Sequence, residues 1–125
     1  MHPKTIVLVT CVKPKRNQKS AAKDLYQGEL FEQLMNYAHS LNPDQIFILS
    51  GKHHLLHLET EIEPYDLNLN HQSEEALIAW SNKVLQQLAQ IADLRKDLFV
   101  YLTNDVYRKY LSQHTPNFKV PFVID

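Results

Sequence analysis

Three stretches of the chain are apolar at nearly every position, which is typical of strands whose two faces are both covered. They are Thr5–Thr10, Gln45–Ser50 and Leu98–Leu102. Central strands of parallel sheets show this pattern because helices cover them on each side. A fourth strand is predicted over residues 119–123. We place it at the edge of the sheet because Pro121 has no N–H group to donate to a neighbouring strand.

Two longer segments carry apolar residues at helical spacing. The first covers residues 28–41, and an Asn-Pro pair ends it. The second begins after Ser73, a good N-cap residue, and runs to about residue 92. A short helix is predicted from residue 104 or 105 to residue 113, whereas residues 55–72 have no clear period and are predicted to form an ordered loop.

Strands that alternate with helices predict βαβ crossovers and therefore a mainly parallel sheet. We predict one α/β domain over residues 1–125, a three-layer sandwich with a mainly parallel four-stranded sheet and helices on both faces. Ligands in such folds bind beyond the carboxyl ends of the strands, where the strand order reverses. That rule selects residues 10–16, 50–54 and 103–105.

Composition narrows the class of protein. A hydrophobic fraction of 44% and a charged fraction of 22% are ordinary for a globular domain. The longest apolar run, Ile6–Val9, is far too short to span a membrane. One cysteine excludes a disulfide framework, so we expect a cytoplasmic protein. The oligomeric state cannot be read from the sequence.

Charge is distributed unevenly along the chain. A net charge of −1 argues against a broad nucleic-acid-binding surface. Residues 1–23 nevertheless hold six basic side chains and no acid, whereas residues 59–75 hold six acids and no Lys or Arg. The basic segment is either a solvated loop or a loop that faces an anion, because it continues from the end of the first strand.

Candidate chemistry follows the first strand at once. Cys11 stands near Lys13 and Lys15. A cysteine beside basic side chains can act as a nucleophile; the alternative is a small buried cysteine at the end of a strand. The two lysines can hold a phosphate by charge.

The second strand is followed by Ser50-Gly51-Lys52-His53-His54. This run lacks the first glycine and the final Ser or Thr of a phosphate loop. It still offers a hydroxyl, an ammonium and two imidazoles at a strand end. The histidines match no zinc-ligand spacing, so we predict no metal and no cofactor.

Pro64-Tyr65-Asp66 forms a short predicted turn. The carboxylate of Asp66 can orient a water or accept a proton, and the ring of Tyr65 can stack on a base. Alternatively, Asp66 makes a local turn hydrogen bond above a half-buried tyrosine.

Four blocks of the chain resemble the pattern of a small bacterial and phage family of uncharacterised domains. The blocks are Cys11-Val12-Lys13-Pro14-Lys15, Ala22-x-x-Leu25-Tyr26-x-x-x-Leu30-Phe31, Ile48-Leu49-Ser50-Gly51-Lys52-His53-His54-Leu55-Leu56 and Pro64-Tyr65-Asp66-Leu67. The usual pattern is Cys-Ser-x-x-Lys, Leu-Tyr-x-Ser-x-Leu-Phe, Ile-Leu-Ser-Ala-Lys-x-Gly-Leu-Leu and Pro-Tyr-Asp, and the likeness covers roughly residues 5–110.

That family is similar to the core domain of archaeosine synthase and to folds of the uracil-DNA glycosylase type. The resemblance therefore implies a three-layer α/β domain that acts on a nucleobase. The matching positions carry over as candidate site residues: Tyr26, Ser50, Lys52, Tyr65 and Asp66. Cys11 and Lys13 belong to a block in which Val12 replaces the usual Ser, and His54 stands where the pattern has Gly.

We expect an enzyme that hydrolyses the N-glycosidic bond of a base in nucleic acid, with DNA favoured over tRNA. Asp66 would position water or stabilise the sugar cation, Tyr65 or Tyr26 would stack on the base, and His53 would hydrogen-bond or protonate it. The basic segment would hold phosphates. One alternative is a tRNA-modifying enzyme of deazaguanine type with Lys52 or Cys11 as nucleophile. The other is a noncatalytic nucleotide-binding module.

Overall fold

The computed structural model describes residues 3–10, 17–26, 28–65 and 69–122 of the chain. In chain order its elements are β1 (Thr5–Thr10), β2 (Ser20–Ala21), α1 (Ala22–Leu25), α2 (Glu29–Ser40), β3 (Gln45–Ser50), β4 (His54–His57), β5 (Glu61–Ile62), α3 (Glu74–Ala89), β6 (Leu98–Leu102), α4 (Asp105–Arg108) and β7 (Phe118–Lys119). Two short 3-10 helices, Leu69–His71 and Ser112–His114, precede α3 and β7.

A mainly parallel sheet lies at the centre, with the strand order β4-β3-β1-β6-β7. Strand β1 is parallel to both β3 and β6, and β7 is parallel to β6. The predicted α/β class and the bounds of β1, β3 and β6 are confirmed. The predicted count of four strands is wrong, because β4 adds a fifth strand antiparallel to β3. Strand β7 lies at the edge, as predicted, but precedes Pro121 instead of containing it.

Side chains of the sheet alternate between two cores, as the pleat of a strand requires. One core joins the sheet to α3: Ile6, Leu8, Phe47, Leu49, Phe99, Tyr101, Leu77, Trp80, Val84 and Leu88. The other joins it to α1 and α2: Val7, Val9, Ile48, Val100, Leu102, Ala22, Leu25, Phe31, Leu34 and Ala38. Helices therefore pack against both faces. Leu30 of α2 and Leu41, the C-cap of that helix, also lie at helical spacing but are exposed instead.

The register aligns the carboxyl ends of the three central strands. Thr10 pairs with Leu49, and Val9 pairs with Leu102. Ser50 and Thr103, each one residue further along, therefore end their strands on the same side of the sheet as Thr10. We call this side the carboxyl edge.

Helix α3 begins as the sequence predicts. The Ser73 side chain accepts a hydrogen bond of 3.1 Å from the backbone N–H of Ala76, which satisfies one of the otherwise unpaired donors of the first turn. Within the described ranges, no helix combines the length and apolar character needed to cross a bilayer.

Candidate functional site

The hydroxyl of Tyr65 joins two other hydroxyls beside the carboxyl edge. It forms a hydrogen bond with the hydroxyl of Tyr26 and another, of 2.7 Å, with Oγ of Ser50. Tyr26 follows α1, Ser50 ends β3, and Tyr65 follows β5. Tyr26 and Ser50 are buried, whereas Tyr65 is half-buried. Three separate segments of the chain therefore meet at the Tyr65 hydroxyl.

Backbone hydrogen bonds explain why Tyr26 and Tyr65 meet. Strands β2 and β5 form a small antiparallel ladder, in which Ser20 pairs with Ile62. The N–H of Ala22 donates to the carbonyl of Thr60 at 2.8 Å, and the next N–H donates to the carbonyl of Leu58 at 2.9 Å. The segment that ends in Tyr26 is thus fixed to the segment that leads to Tyr65.

Two hydrogen bonds fix Ser50, one through its side chain and one through its backbone carbonyl. Its Oγ accepts a hydrogen bond of 3.0 Å from the backbone N–H of His53, and its carbonyl accepts one of 2.8 Å from the indole N–H of Trp80. The first bond shapes the turn that joins β3 to β4, and the second ties that turn to α3. The hydroxyl that contacts Tyr65 is consequently part of a rigid corner.

The turn also brings His53 and Lys52 to Tyr65. The imidazole of His53 meets the phenol ring edge-on, with the ring centroids 5.3 Å apart. The ammonium of Lys52 lies 5.9 Å from the Tyr65 ring centroid, within range of a cation–π contact. Lys52 is exposed, so this contact leaves its charge accessible to solvent.

The environment of His53 favours its neutral form at physiological pH. Burial lowers its pKa below the ordinary value of 6.5, and the positive charge of Lys52 lowers it further. Its Nε2 atom is buried and has no hydrogen-bond partner in the described part of the chain. A neutral imidazole has one donor and one acceptor nitrogen, so Nε2 retains a hydrogen-bonding capacity that the protein does not use.

His54 adopts an unusual backbone conformation, with a φ of 62°. This left-handed region costs most residues free energy but is open to glycine. The ring of His54 stacks on Trp80 at a centroid distance of 6.5 Å. Burial lowers the pKa of His54, as do the charges of Lys83 and His53.

Comparison with known proteins gives a match to a protein family. The profile of DUF6884, a family of unknown function, matches residues 6–123. The chain belongs to the DUF6884 family. No curated protein and no solved structure matches it.

A groove of about 630 Å³ lies beside Tyr26 of the DUF6884 chain. Its lining includes Tyr26, Phe31 and Met35 as well as charged side chains, and its size is ordinary for a small-molecule site. At one wall, Lys23 forms an ion pair of 2.9 Å with Glu59, which raises the pKa of the lysine. Lys23 ends the basic segment that the sequence analysis expects to hold phosphates. In the structure its ammonium is paired with the Glu59 carboxylate.

Five of the nine site residues predicted from the sequence come together in the structure. They are Tyr26, Ser50, Lys52, His53 and Tyr65. The other four, Cys11, Lys13, Lys15 and Asp66, lie outside the described residues. Among the residues that are described, no cluster of three or more His, Cys, Asp or Glu side chains is suited to holding a metal ion.

The residues predicted for the site from the sequence do not include Trp80, whose indole N–H donates to the Ser50 carbonyl. A signal for it exists, because a buried indole N–H requires an acceptor. The residues at the end of β6 were selected as part of the ligand-binding edge, but none of them was assigned to the site.

Proposed function

We propose that this DUF6884 chain is an enzyme that hydrolyses the N-glycosidic bond of a base in nucleic acid, a DNA glycosylase that extrudes its target base. The proposal is supported chiefly by the Tyr65 ring, which the hydroxyls of Tyr26 and Ser50 hold in place. The neighbouring His53 imidazole has an Nε2 atom without a hydrogen-bond partner among the described residues. Enzymes that extrude a base need an aromatic ring for stacking and polar groups that read the base edge.

Of the two tyrosines, Tyr65 is the one suited to stack on a base. Tyr26 is 1% exposed, so its ring has no open face for a ligand, whereas Tyr65 is half-buried. Tyr26 then acts as a positioning residue, whose hydroxyl fixes the orientation of the Tyr65 ring. The lowered pKa of His53 favours hydrogen bonding to the base over protonation of it, since the neutral form dominates near pH 7.

The bond cleavage itself requires a carboxylate. Water adds to the anomeric carbon, the carbon–nitrogen bond breaks, and the base leaves with a proton. Negative charge near the sugar stabilises the cationic transition state, and a carboxylate can also activate the water. We assign this role to Asp66 from its place in the sequence, directly after Tyr65. Lys13 and Lys15 would hold phosphates by charge.

A second candidate function arises from Lys52, whose ammonium lies against the Tyr65 ring. In a tRNA-modifying enzyme of deazaguanine type, such as the resemblance to the archaeosine synthase core suggests, Lys52 or Cys11 would attack a substrate carbon.

We also infer a cytoplasmic location from the single cysteine.

Mass spectrometry of reaction mixtures tests the proposal. The protein is incubated with modified and unmodified DNA and RNA, and both free bases and the intact protein mass are measured. Release of a free base from DNA supports the glycosylase. A covalent adduct on the protein that is lost in Lys52→Met or Cys11→Ala supports the tRNA-modifying function instead. Binding without release or adduct indicates a noncatalytic module.

A further inference from the structure

A smaller groove, of about 350 Å³, lies between the turn that follows β3 and helix α3. Its lining includes Gly51 and His54 from the turn and the start of β4, and Gln72, Ala79, Trp80 and Lys83 from α3 and the residues before it. We call it the Trp80 groove. Gln72, Ala79 and Lys83 are exposed, so a ligand can reach the groove from solvent.

The polar side chains of the Trp80 groove favour an anion. Among the described residues that line it, Lys83 is the only Lys, Arg, Asp or Glu, and its ammonium has no ion-pair partner in the described part of the chain. An ammonium without a competing acid is suited to holding a phosphate. The imidazole of His54 and the carboxamide of Gln72 add N–H donors for the phosphate oxygens.

The acids of α3 lie outside the groove. The helix begins with Glu74 and Glu75, but neither residue lines the Trp80 groove. Glu74 is instead paired with Lys109 at 3.2 Å. The charge of Lys83 is therefore left to attract a ligand.

The backbone of His54 gives independent support for a ligand in this groove. Its φ of 62° lies in the left-handed region, which costs free energy for a residue with a Cβ atom. Hydrogen bonds to α3 hold the chain on both sides of His54. The indole of Trp80 donates to the Ser50 carbonyl at 2.8 Å, and the N–H of Leu55 donates to Oε1 of Gln87 at 3.0 Å. Strained conformations that the surrounding structure fixes in this way cluster at ligand-binding sites.

One turn joins the Trp80 groove to the Tyr65 ring. Lys52 and His53 contact that ring, whereas Gly51 and His54, on either side of them in the chain, line the groove. Consecutive Cα atoms are about 3.8 Å apart, which brings the groove and the ring within reach of neighbouring nucleotides of one strand.

We propose that the Trp80 groove binds the phosphate and sugar of the nucleotide next to the extruded base, with Lys83 and His54 holding the phosphate. The inference rests on the proposed function, which it deepens by naming where the flanking strand binds. The apolar part of the lining, which includes Ala79 and Trp80, gives the sugar a surface that a free phosphate ion would not use. The ligand class is accordingly a nucleotide within a DNA strand.

Fluorescence of Trp80, the only tryptophan of the chain, reports on ligands in the groove. Three probes are titrated: thymidine 5′-monophosphate, thymidine and inorganic phosphate. They are compared on wild-type protein, on Lys83→Met and on His54→Asn, in which asparagine tolerates the left-handed conformation. Lys119→Met is the matched control, because it removes an exposed lysine from β7. Thermal unfolding is recorded for every variant, so that affinities are compared only among folded proteins.

We expect wild-type protein to bind thymidine 5′-monophosphate about tenfold more tightly than thymidine or inorganic phosphate, since each of these lacks one part of the ligand. Lys83→Met should weaken binding of the nucleotide about tenfold and remove its advantage over thymidine, because a charge-assisted hydrogen bond is lost. His54→Asn should weaken binding by a smaller factor, and Lys119→Met should bind like wild type. With a short single strand of DNA, Lys83→Met should reduce the slope of log K against log salt by about 0.7.

Equal binding of the nucleotide and thymidine by wild-type protein would overturn the assignment, and so would an unchanged affinity for the nucleotide in folded Lys83→Met. Inorganic phosphate that binds as tightly as the nucleotide would indicate a site for the free ion and overturn it as well. The proposed function survives each of these results if wild-type protein still releases a base from DNA. If the protein binds the nucleotide through Lys83 but releases no base, the nucleotide site stands and the glycosylase proposal fails.

Discussion

The hydroxyl of Tyr65 lies 2.7 Å from Oγ of Ser50, the last residue of a central strand. Since Ser50 is in turn bonded to the backbone of His53 and the indole of Trp80, the relationship links the Tyr65 loop to the sheet and to α3. An aromatic ring fixed in this way can receive a ligand without first losing conformational freedom.

Removing the hydroxyl of Tyr65 should destabilise the protein. Tyr65→Phe leaves the hydroxyls of Tyr26 and Ser50 without this partner, so we expect a loss of about 1–2 kcal/mol in the free energy of unfolding. In a double-mutant cycle with Ser50→Ala, the two losses should be non-additive by at least about 0.5 kcal/mol. Urea denaturation measures both.

Tyr110→Phe, a tyrosine outside this cluster, is the control and should change stability by no more than about 0.5 kcal/mol. Additive effects of the Tyr65 and Ser50 variants would show that the hydrogen bond between them contributes nothing in solution.

The positive charge of Lys52 should lower the pKa of His53 in solution. Lys52→Met removes a cause of the lowered pKa of His53, so the pKa should rise towards 6.5, while burial keeps it below that value. NMR titration of the histidine ring protons measures the change. Lys83→Met is the matched control, because Lys83 lowers the pKa of His54 instead. An unchanged His53 pKa in Lys52→Met would contradict the electrostatic account.

The same lowered pKa has a consequence for stability. Between the folded pKa and 6.5 the unfolded chain binds more protons at His53 than the folded chain does. The contribution of neutral His53 to the free energy of unfolding is therefore present in full above pH 6.5. It is lost as the pH falls towards the pKa of His53 in the folded protein. Replacing His53 with Gln should reduce the slope of unfolding free energy against pH in that window.

The sequence was sufficient for the three central strands because each is a continuous apolar run. Strand β4 was missed since its residues, His54-Leu55-Leu56-His57, do not alternate between polar and apolar. Strands β2 and β5 span two residues each, too few to produce any period. Elements of this kind are set by their partners and not by local pattern.

The site was predictable only as a set of candidates. Tyr26 and Tyr65 are 39 positions apart, and no local pattern encodes a hydrogen bond between them. The predicted turn at Pro64–Asp66 pointed to Tyr65 and the resemblance added Tyr26, and the ladder of β2 with β5 explains how they meet.

His54→Gly should be more stable than His54→Ala. Both variants remove the ring that stacks on Trp80, so their difference isolates the backbone. At a φ of 62° alanine retains the steric cost that glycine lacks, and we expect the glycine variant to be more stable by about 1 kcal/mol. At His57, which lies in extended β4, the order should reverse. Equal stabilities at position 54 would contradict the left-handed conformation.

If the basic N-terminal segment holds phosphates, binding to DNA should weaken steeply with salt. Each neutralised phosphate releases counterions, so replacing Lys13, Lys15 and Arg16 with Gln should reduce the slope of log K against log salt by about 2–3. Fluorescence anisotropy over a salt series measures the slope. Lys96 and Lys119, replaced together, serve as the control. A slope that stays the same in the triple variant would favour a small-molecule or regulatory role.

Base release by wild-type protein and by Asp66→Asn measures whether the Asp66 carboxylate drives hydrolysis of the N-glycosidic bond. The amide keeps the shape of the carboxylate but removes its charge and basicity. We expect the rate of base release from DNA, followed by mass spectrometry, to fall on the order of 10²-fold or more. Stability should change by less than about 1 kcal/mol, and DNA binding should persist. Full activity in a folded Asp66→Asn protein, or the failure of wild-type protein to release any base, would contradict the account.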